Sequence, residues 1–238
     1  MDGAEIEAEA EAEAKRMRNR LTDSLKTTER DWYESKLTRH NHFDAIGHID
    51  DALNCVPIEF VDEDRLRFMA SCFGHFLTMH RKMKFSGDII YRLLLRELHH
   101  NSPTDEIQFM LGNQLVRFSK VEFFLITRLR FGVVPDTTKY AAVENGIHER
   151  YFPGADEVLL EEIRGVVTGV EFGKVHDVVK LCLIYMLNWI LMGVHERFKI
   201  SVWQFRLVED LDAFDAFPWG AHVYRHSIYL FKHALDGR

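Results

Sequence analysis

The feature that most constrains this chain is the run Val178–Val194, VVKLCLIYMLNWILMGV. Seventeen residues of almost unbroken hydrocarbon leave two outcomes: the centre of a folded core, or a membrane. A spanning helix wants about 20 apolar residues with few charges, and this run contains Lys180 and Asn188. A helix over about 175–195 at the centre of a helical bundle is therefore expected, with no membrane insertion. Asn188 then needs a buried hydrogen-bond partner.

The rest of the chain has material to surround such a helix. Hydrophobic residues make up 47% and charged residues 28% of 238, which excludes wholesale disorder. Phe43, Ile46, Ile49 and Leu53 keep helical spacing. So do Leu66, Met69, Phe73, Phe76 and Leu77 after a candidate cap at Asp62, and Ile89, Ile90, Leu93, Leu94 and Leu98 after Ser86. In EIQFMLGNQLVRFS, Gly112-Asn113 separates two short apolar runs, a hairpin signal over about 106–118. Ser119 with Glu122 three residues on is a capping box worth about 1 kcal/mol. It opens a helix carrying Val121, Phe124, Leu125, Ile126 and Leu129. Residues 133–172 are the least regular, broken by Pro and by glycines including Gly165, with a short helix from Val158 to Ile163. A helix from Ser201 to Pro218 buries Trp203, Leu207, Val208, Leu211 and Phe214. A last one over about 219–235 buries Val223, Leu230, Phe231 and Leu235. The fold class expected is mainly α: seven to nine helices around one long buried helix, with a small β-hairpin.

Two domains of unequal kind are expected. Residues 1–39 form an arm in which Glu5, Glu7, Glu9, Glu11 and Glu13 alternate with Ala or Ile before the chain turns basic at Lys15–Arg20. Like charges four apart weaken a helix there, so the arm is read as partly disordered or helical, with a thin stripe over about 15–37. Residues 40–238 form the single helical domain. The acidic start is no signal peptide. Three cysteines, Cys55, Cys72 and Cys182, form no CxxC, which fits reduced thiols in a nuclear or cytoplasmic setting.

Chemistry-bearing patterns are weak. The formal charge is -7, unlike a nucleic-acid binder as a whole. One stretch runs the other way: nine basic residues between Arg81 and Arg130 face five acids, for a local +4. Nucleic acid through that region is one alternative function. Cys72 and His75 share a helix spacing, but a nucleophile needs a stabilised thiolate and an orienting third group. His40, His42 and His48, and then His99 and His100, are at most half of a metal site. Glu209, Asp210, Asp212 and Asp215 read as a solvated helix face. No GxxxxGK[ST], GxGxxG or GxSxG occurs. The expectation is no catalytic residue, no cofactor and no metal.

Several stretches taken together resemble a known family. They are SCFGHFL (71–77), KFSGDIIYRLLLREL (84–98), DEIQFMLGNQLVRFSKVEFFLITRL (105–129), GIHERYFPG (146–154), VVKLCLIYMLNWILMG (178–193) and LVEDLDAFDAFPWG (207–220). In order and wording they resemble the plant domain of unknown function DUF1985, over about residues 38–235. That family occurs in transposon-derived plant polypeptides, often ahead of a Ulp1-like cysteine peptidase. The resemblance implies an accessory module that binds an unidentified protein partner. A fragment of a Ulp1-like SUMO-protease polypeptide is the alternative it raises. The peptidase's own His, Asp and Cys would need a further segment of domain length. The chain reaches only Arg238, so no proteolytic activity is carried over. One departure is Arg128, where the family's LITGL stretch has Gly; a helix continuing through Arg128 is the expected consequence. Among the matched residues, Gly112, Ser119, Glu122, Pro218 and Trp219 are read as structural, as are Phe73, Phe109, Phe118 and Phe124 in the core. Arg117, Lys120 and Arg128 are the candidate partner surface.

Overall fold

The structure, a computed structural model, describes residues 62–78, 87–98, 105–142, 145–169, 174 and 176–233. The chain divides into two units, Met1–Asp44 and Ala45–Arg238, and every described residue lies in the second. The expected arm, the helix around Phe43–Leu53, Cys55, Ser86, Leu235, and the histidines at 40, 42, 48, 99 and 100 fall outside the described residues.

In chain order the elements are α1 (Asp62–Met69), a 3₁₀ turn (Gly74–Thr78), α2 (Gly87–Leu94), β1 (Ile107–Leu111), β2 (Gln114–Phe118) and α3 (Lys120–Thr127). A second 3₁₀ turn (Thr137–Ala142), α4 (Gly146–Tyr151), β3 (Val158–Leu159), α5 (Leu160–Gly169) and α6 (Asp177–Met186) follow. A π turn (Leu187–Leu191), β4 (Lys199–Ile200), α7 (Val202–Val208), α8 (Leu211–Ala216) and α9 (Trp219–His233) complete the order. The protein is mainly α with a small antiparallel hairpin, as its periodicities imply.

The apolar run is the centre. Every residue of α6 except Lys180 is buried, and α1, α5 and α7 pack against it. Lys180 escapes at the edge and meets Glu209 at 2.6 Å. Asn188, 1% exposed in the π turn, finds the partner it needs. Its Nδ2 donates to the Ile184 carbonyl (2.8 Å) and to Gln204 Oε1 on α7 (2.6 Å), and Gln204 Nε2 donates back to Oδ1. The extra residue of a π turn rotates the amide toward α7. Around this axis the rings of Phe73, Phe214 and Trp219 meet at 4.7–6.0 Å, and the fully buried Trp219 donates its indole N–H to the Phe214 carbonyl.

Several expectations change. In α1 it is Phe68 that is buried, while Leu66 and Met69 are exposed. A two-turn helix carries apolar residues on both sides, and docking against α6 selects one. Helix α2 ends at Leu94, so Leu98 leaves it to bond across to Gln108 of β1. Val158 lies in β3 and pairs with Ile200, and Gly165 sits inside α5 where a break was expected. The helix expected over 201–217 is two. Asp210 is extended and its carboxylate accepts from the N–H groups of Asp212 and Ala213, which starts α8 afresh. Pro218 does not merely end a helix: its carbonyl accepts from Ala221 and His222, and it opens α9, where a missing N–H costs nothing. Helix α9 buries Val223, Tyr224 and Ile228, and Leu230 is exposed.

His222 packs edge-on against Trp203, Phe217 and Trp219 at 5.8–6.1 Å. Burial among these rings, helped by Arg225 and His226, pushes the imidazole down from 6.5 to about 4. The unfolded chain therefore takes up this proton first as pH falls. The contribution is fully present above pH 6.5 and is lost on the way down to about pH 4. That loss is on the order of 3 kcal/mol. Urea titrations at the two ends of that window should show a smaller pH-driven loss in His222→Gln than in the parent. Equal losses in both would remove His222 as the source.

Candidate functional site

The hairpin and α3 form one outward ridge. β1 pairs with β2 from Ile107↔Phe118 to Leu111↔Gln114, and Gly112 turns the chain at φ +63, a left-handed conformation that favours glycine. Phe109 and Phe118 pack on the core from the inner face. Ser119 is extended and caps α3. Its hydroxyl accepts from Val121 N–H and donates to Glu122 Oε2, its own N–H donates to the same oxygen (2.7 Å), and the two bonds to that oxygen hold the Glu122 carboxyl below the usual range. The capping box is as the sequence implies.

What α3 does with its apolar residues is not. Only Phe123 is buried, against Phe118, Phe131 and Tyr224 at ring distances of 5.4–6.3 Å. Val121, Phe124, Leu125 and Ile126 are 60%, 47%, 65% and 69% exposed, and Leu115 on β2 is 58% exposed. Phe124 is therefore not core material. A stripe of apolar residues shows that a helix has an apolar side but not which way that side turns. Here a single ring, Phe123, sets the rotation.

Helix α3 also stops where continuation was expected. Arg128 is left-handed (φ 54, ψ 16), and its N–H closes the last turn on the Phe124 carbonyl at 2.8 Å. A Cβ in this conformation is strained by about 1–2 kcal/mol. Arg128→Gly should raise the unfolding free energy by about 0.5–1 kcal/mol once the looser unfolded chain is counted, and Arg128→Ala should not. Urea denaturation of the two variants decides it; equal effects would contradict a backbone origin.

Four cations border the ridge. Lys120 is paired with Asp105 at 2.8 Å. Arg117 shares the outer face of β2 with Leu115, and Arg128 is the exposed residue that closes the end of α3. Arg130 follows. Among the described residues no carboxylate lies within ion-pair distance of Arg117, Arg128 or Arg130. The three residues expected to border a partner surface thus lie on one exposed strip, together with apolar side chains that were expected inside.

A concave feature among the described residues is different in kind. An open cleft of about 480 Å³ is lined by Arg67, His176, Lys180, Glu209, Asp210, Leu211 and Asp212. Its charges are paired. Arg67 bonds Asp215 (3.1 Å) and Asp212 (3.3 Å), His176 Nδ1 meets Asp64 at 2.7 Å, and Glu209 takes both Lys180 and the Ile147 N–H at the start of α4. The acidic run is therefore only in part a solvated face. Glu209 and Asp215 tie helices together, whereas Asp210, which caps α8, and Asp212 are exposed. The partners of Glu209 and Asp215 lie far away in sequence, beyond the reach of local pattern.

Cys72 and His75 do not form a nucleophile pair. The Cys72 N–H donates to Asp215 Oδ1 at 2.8 Å. Burial and the neighbouring Asp215 charge push its thiol well up, the reverse of what a thiolate needs. His75 Nε2 donates to the Thr127 carbonyl at 2.7 Å. Among the described residues no cluster of three or more His, Cys, Asp or Glu has the geometry to hold a metal, and no helix is long and apolar enough to cross a membrane.

The family described as "Domain of unknown function (DUF1985)" matches residues 94–229, more than half of the chain. No curated protein and no solved structure matches it.

Proposed function

Because the chain belongs to the DUF1985 family, whose role its description leaves open, we propose that it is a non-catalytic interaction module that presents the β2–α3 ridge to another protein. One observation carries this reading: four of the eight residues of α3 are apolar and about half exposed or more. With Leu115 they expose apolar surface on the order of 500 Å², within the range of the largest, often functional, patch on a monomeric protein. In its finer form, the proposal places the module in a transposon-derived plant polypeptide, where a Ulp1-like peptidase would be a separate segment. Cys72 is a free thiol, which suits a reducing nuclear or cytoplasmic setting.

A photo-crosslinking residue at Leu125 of the full chain, expressed in its native cells, tests the ridge. It should trap a discrete protein adduct that the same residue at exposed Thr168 on α5 does not. Equal adducts from both positions would sink the reading. The non-catalytic half has its own measurement. A thiol-directed active-site probe at neutral pH should leave Cys72 of the folded chain unlabelled, given its raised thiol. Stoichiometric labelling of Cys72, abolished in a folded Cys72→Ala variant, would make the protein an enzyme candidate.

A further inference from the structure

We infer that the occupant of the β2–α3 ridge is an acidic amphipathic helix, one whose apolar stripe is bordered by Asp and Glu; this rests on the ridge being an interaction surface. The shape argues for a helix. Val121, Leu125 and Phe124 run along the axis of α3 at the spacing that packs ridge into groove against a second helix. The charge argues for acid. The whole chain is at -7, yet this strip holds Arg117, Lys120, Arg128 and Arg130 against Asp105, Glu106 and Glu122. Lys120 and Asp105 satisfy each other, Glu106 accepts from Gln108, and Glu122 is bound to Ser119 in the helix cap and feels Arg117 only through the charge of its guanidinium. Among the described residues Arg117, Arg128 and Arg130, exposed at the two ends of the apolar stripe, therefore have no carboxylate within ion-pair distance, and a guanidinium is the side chain best matched to a carboxylate by two parallel hydrogen bonds.

The same charges weigh against other occupants. In a two-fold contact between copies the patch meets itself, which sets guanidinium groups against guanidinium groups. In a nucleic-acid contact, phosphates would lie over the side chains of Val121, Leu125 and Ile126, which offer them no donor, and Phe124 is the only ring of α3 exposed for stacking.

The test uses the full chain and fluorescent, helix-forming synthetic peptides of about 18 residues. They share one apolar stripe and differ only in flanks of Glu, Lys or Gln. A single-stranded oligonucleotide is titrated alongside, and sedimentation reports self-association. The Glu-flanked peptide should bind at least about tenfold more tightly than the Lys-flanked one in roughly 50 mM salt, and the gap should narrow at about 300 mM. The triple variant R117E/R128E/R130E should reverse the preference with its thermal midpoint little changed. L125D should weaken every peptide by about tenfold or more, because it puts a charge in the middle of the stripe.

Equal binding of Glu- and Lys-flanked peptides that is lost in L125D would overturn the acidic partner and leave the interaction surface standing. Dimerisation abolished by L125D, without peptide binding, would assign the ridge to a second copy. Oligonucleotide binding lost in the triple variant, without peptide binding, would assign it to nucleic acid. No binding of any kind, or binding untouched by both sets of substitutions, overturns the inference and removes the ridge as its site.

Discussion

Gly220→Ala should destabilise the protein by about 3 kcal/mol, while Gly165→Ala should stabilise it by about 0.5–1 kcal/mol. Gly220 opens α9 where it crosses the segment leaving α3, and its N–H donates to the Arg130 carbonyl at 2.8 Å. A Cβ there would stand 2.6 Å from the Leu129 oxygen, 2.7 Å from the Phe131 ring and 2.8 Å from the Arg130 oxygen. Two of those are backbone atoms, and Leu129 is 1% exposed, so relief means breaking the hydrogen bond and lifting Leu129 from the core. Gly165 lies on the exposed side of α5 with nothing within 4 Å of such a Cβ. There alanine only removes glycine's extra freedom in the unfolded chain. Urea midpoints and slopes of both variants, measured together, check the pair. Two small changes of the same sign would mean that α9 does not approach residues 129–131 this closely. Because that crossing anchors the C-terminal end of α3, Gly220→Ala should also loosen the ridge.

These two glycines show what the sequence discloses and what it withholds. The central helix was legible because a run as apolar as 178–191 has few places to go, and Asn188 within it announced its need for a partner. The Gly112 turn and the Ser119–Glu122 cap were legible because their chemistry is complete within a few residues. Gly220 was not, since its constraint is a backbone lying about 90 positions back. The outward turn of α3 was not, because an eight-residue helix rich in Phe, Leu, Ile and Val has no polar side to declare which face is wet. The end of α3 at Arg128 is illegible for a related reason: arginine is a good helix former, and nothing local announces a left-handed backbone there. The tied half of the acidic run at 209–215 is illegible locally because Glu209 and Asp215 find their partners, Lys180, Arg67 and the N-terminus of α4, on elements distant in the chain. Of the ridge, Arg117, Lys120 and Arg128 were legible as a charged border. The apolar stripe that gives the border its meaning came only with the fold.

The second large effect should come from Arg150→Met, at about 3–5 kcal/mol of lost stability. Asp177 is the first residue of α6 and is 1% exposed. Its carboxylate accepts from Arg150 Nε (2.8 Å) and Nη2 (3.2 Å) and from the Tyr151 hydroxyl (3.0 Å), both on α4. Removing the guanidinium leaves a buried negative charge with one remaining side-chain donor. That is far costlier than removing both charges, because the penalty lies in the uncompensated ion rather than in the lost attraction. The double variant R150M/D177N should therefore be more stable than R150M alone, although it carries one more substitution. Tyr151→Phe, which removes one neutral donor and keeps the ion pair, should cost only about 1 kcal/mol. Chemical denaturation of the single and double variants settles the matter: a loss below about 1 kcal/mol for R150M, or a double variant weaker than the single, would show that water rather than Arg150 compensates this carboxylate. The same cycle reports on the tie between α4 and the central helix. Glu209 makes the other such tie, holding Lys180 of α6 and capping α4 through Ile147. Two carboxylates, one at the start of α6 and one leaving α7, thus fasten α4 to the axis of the bundle.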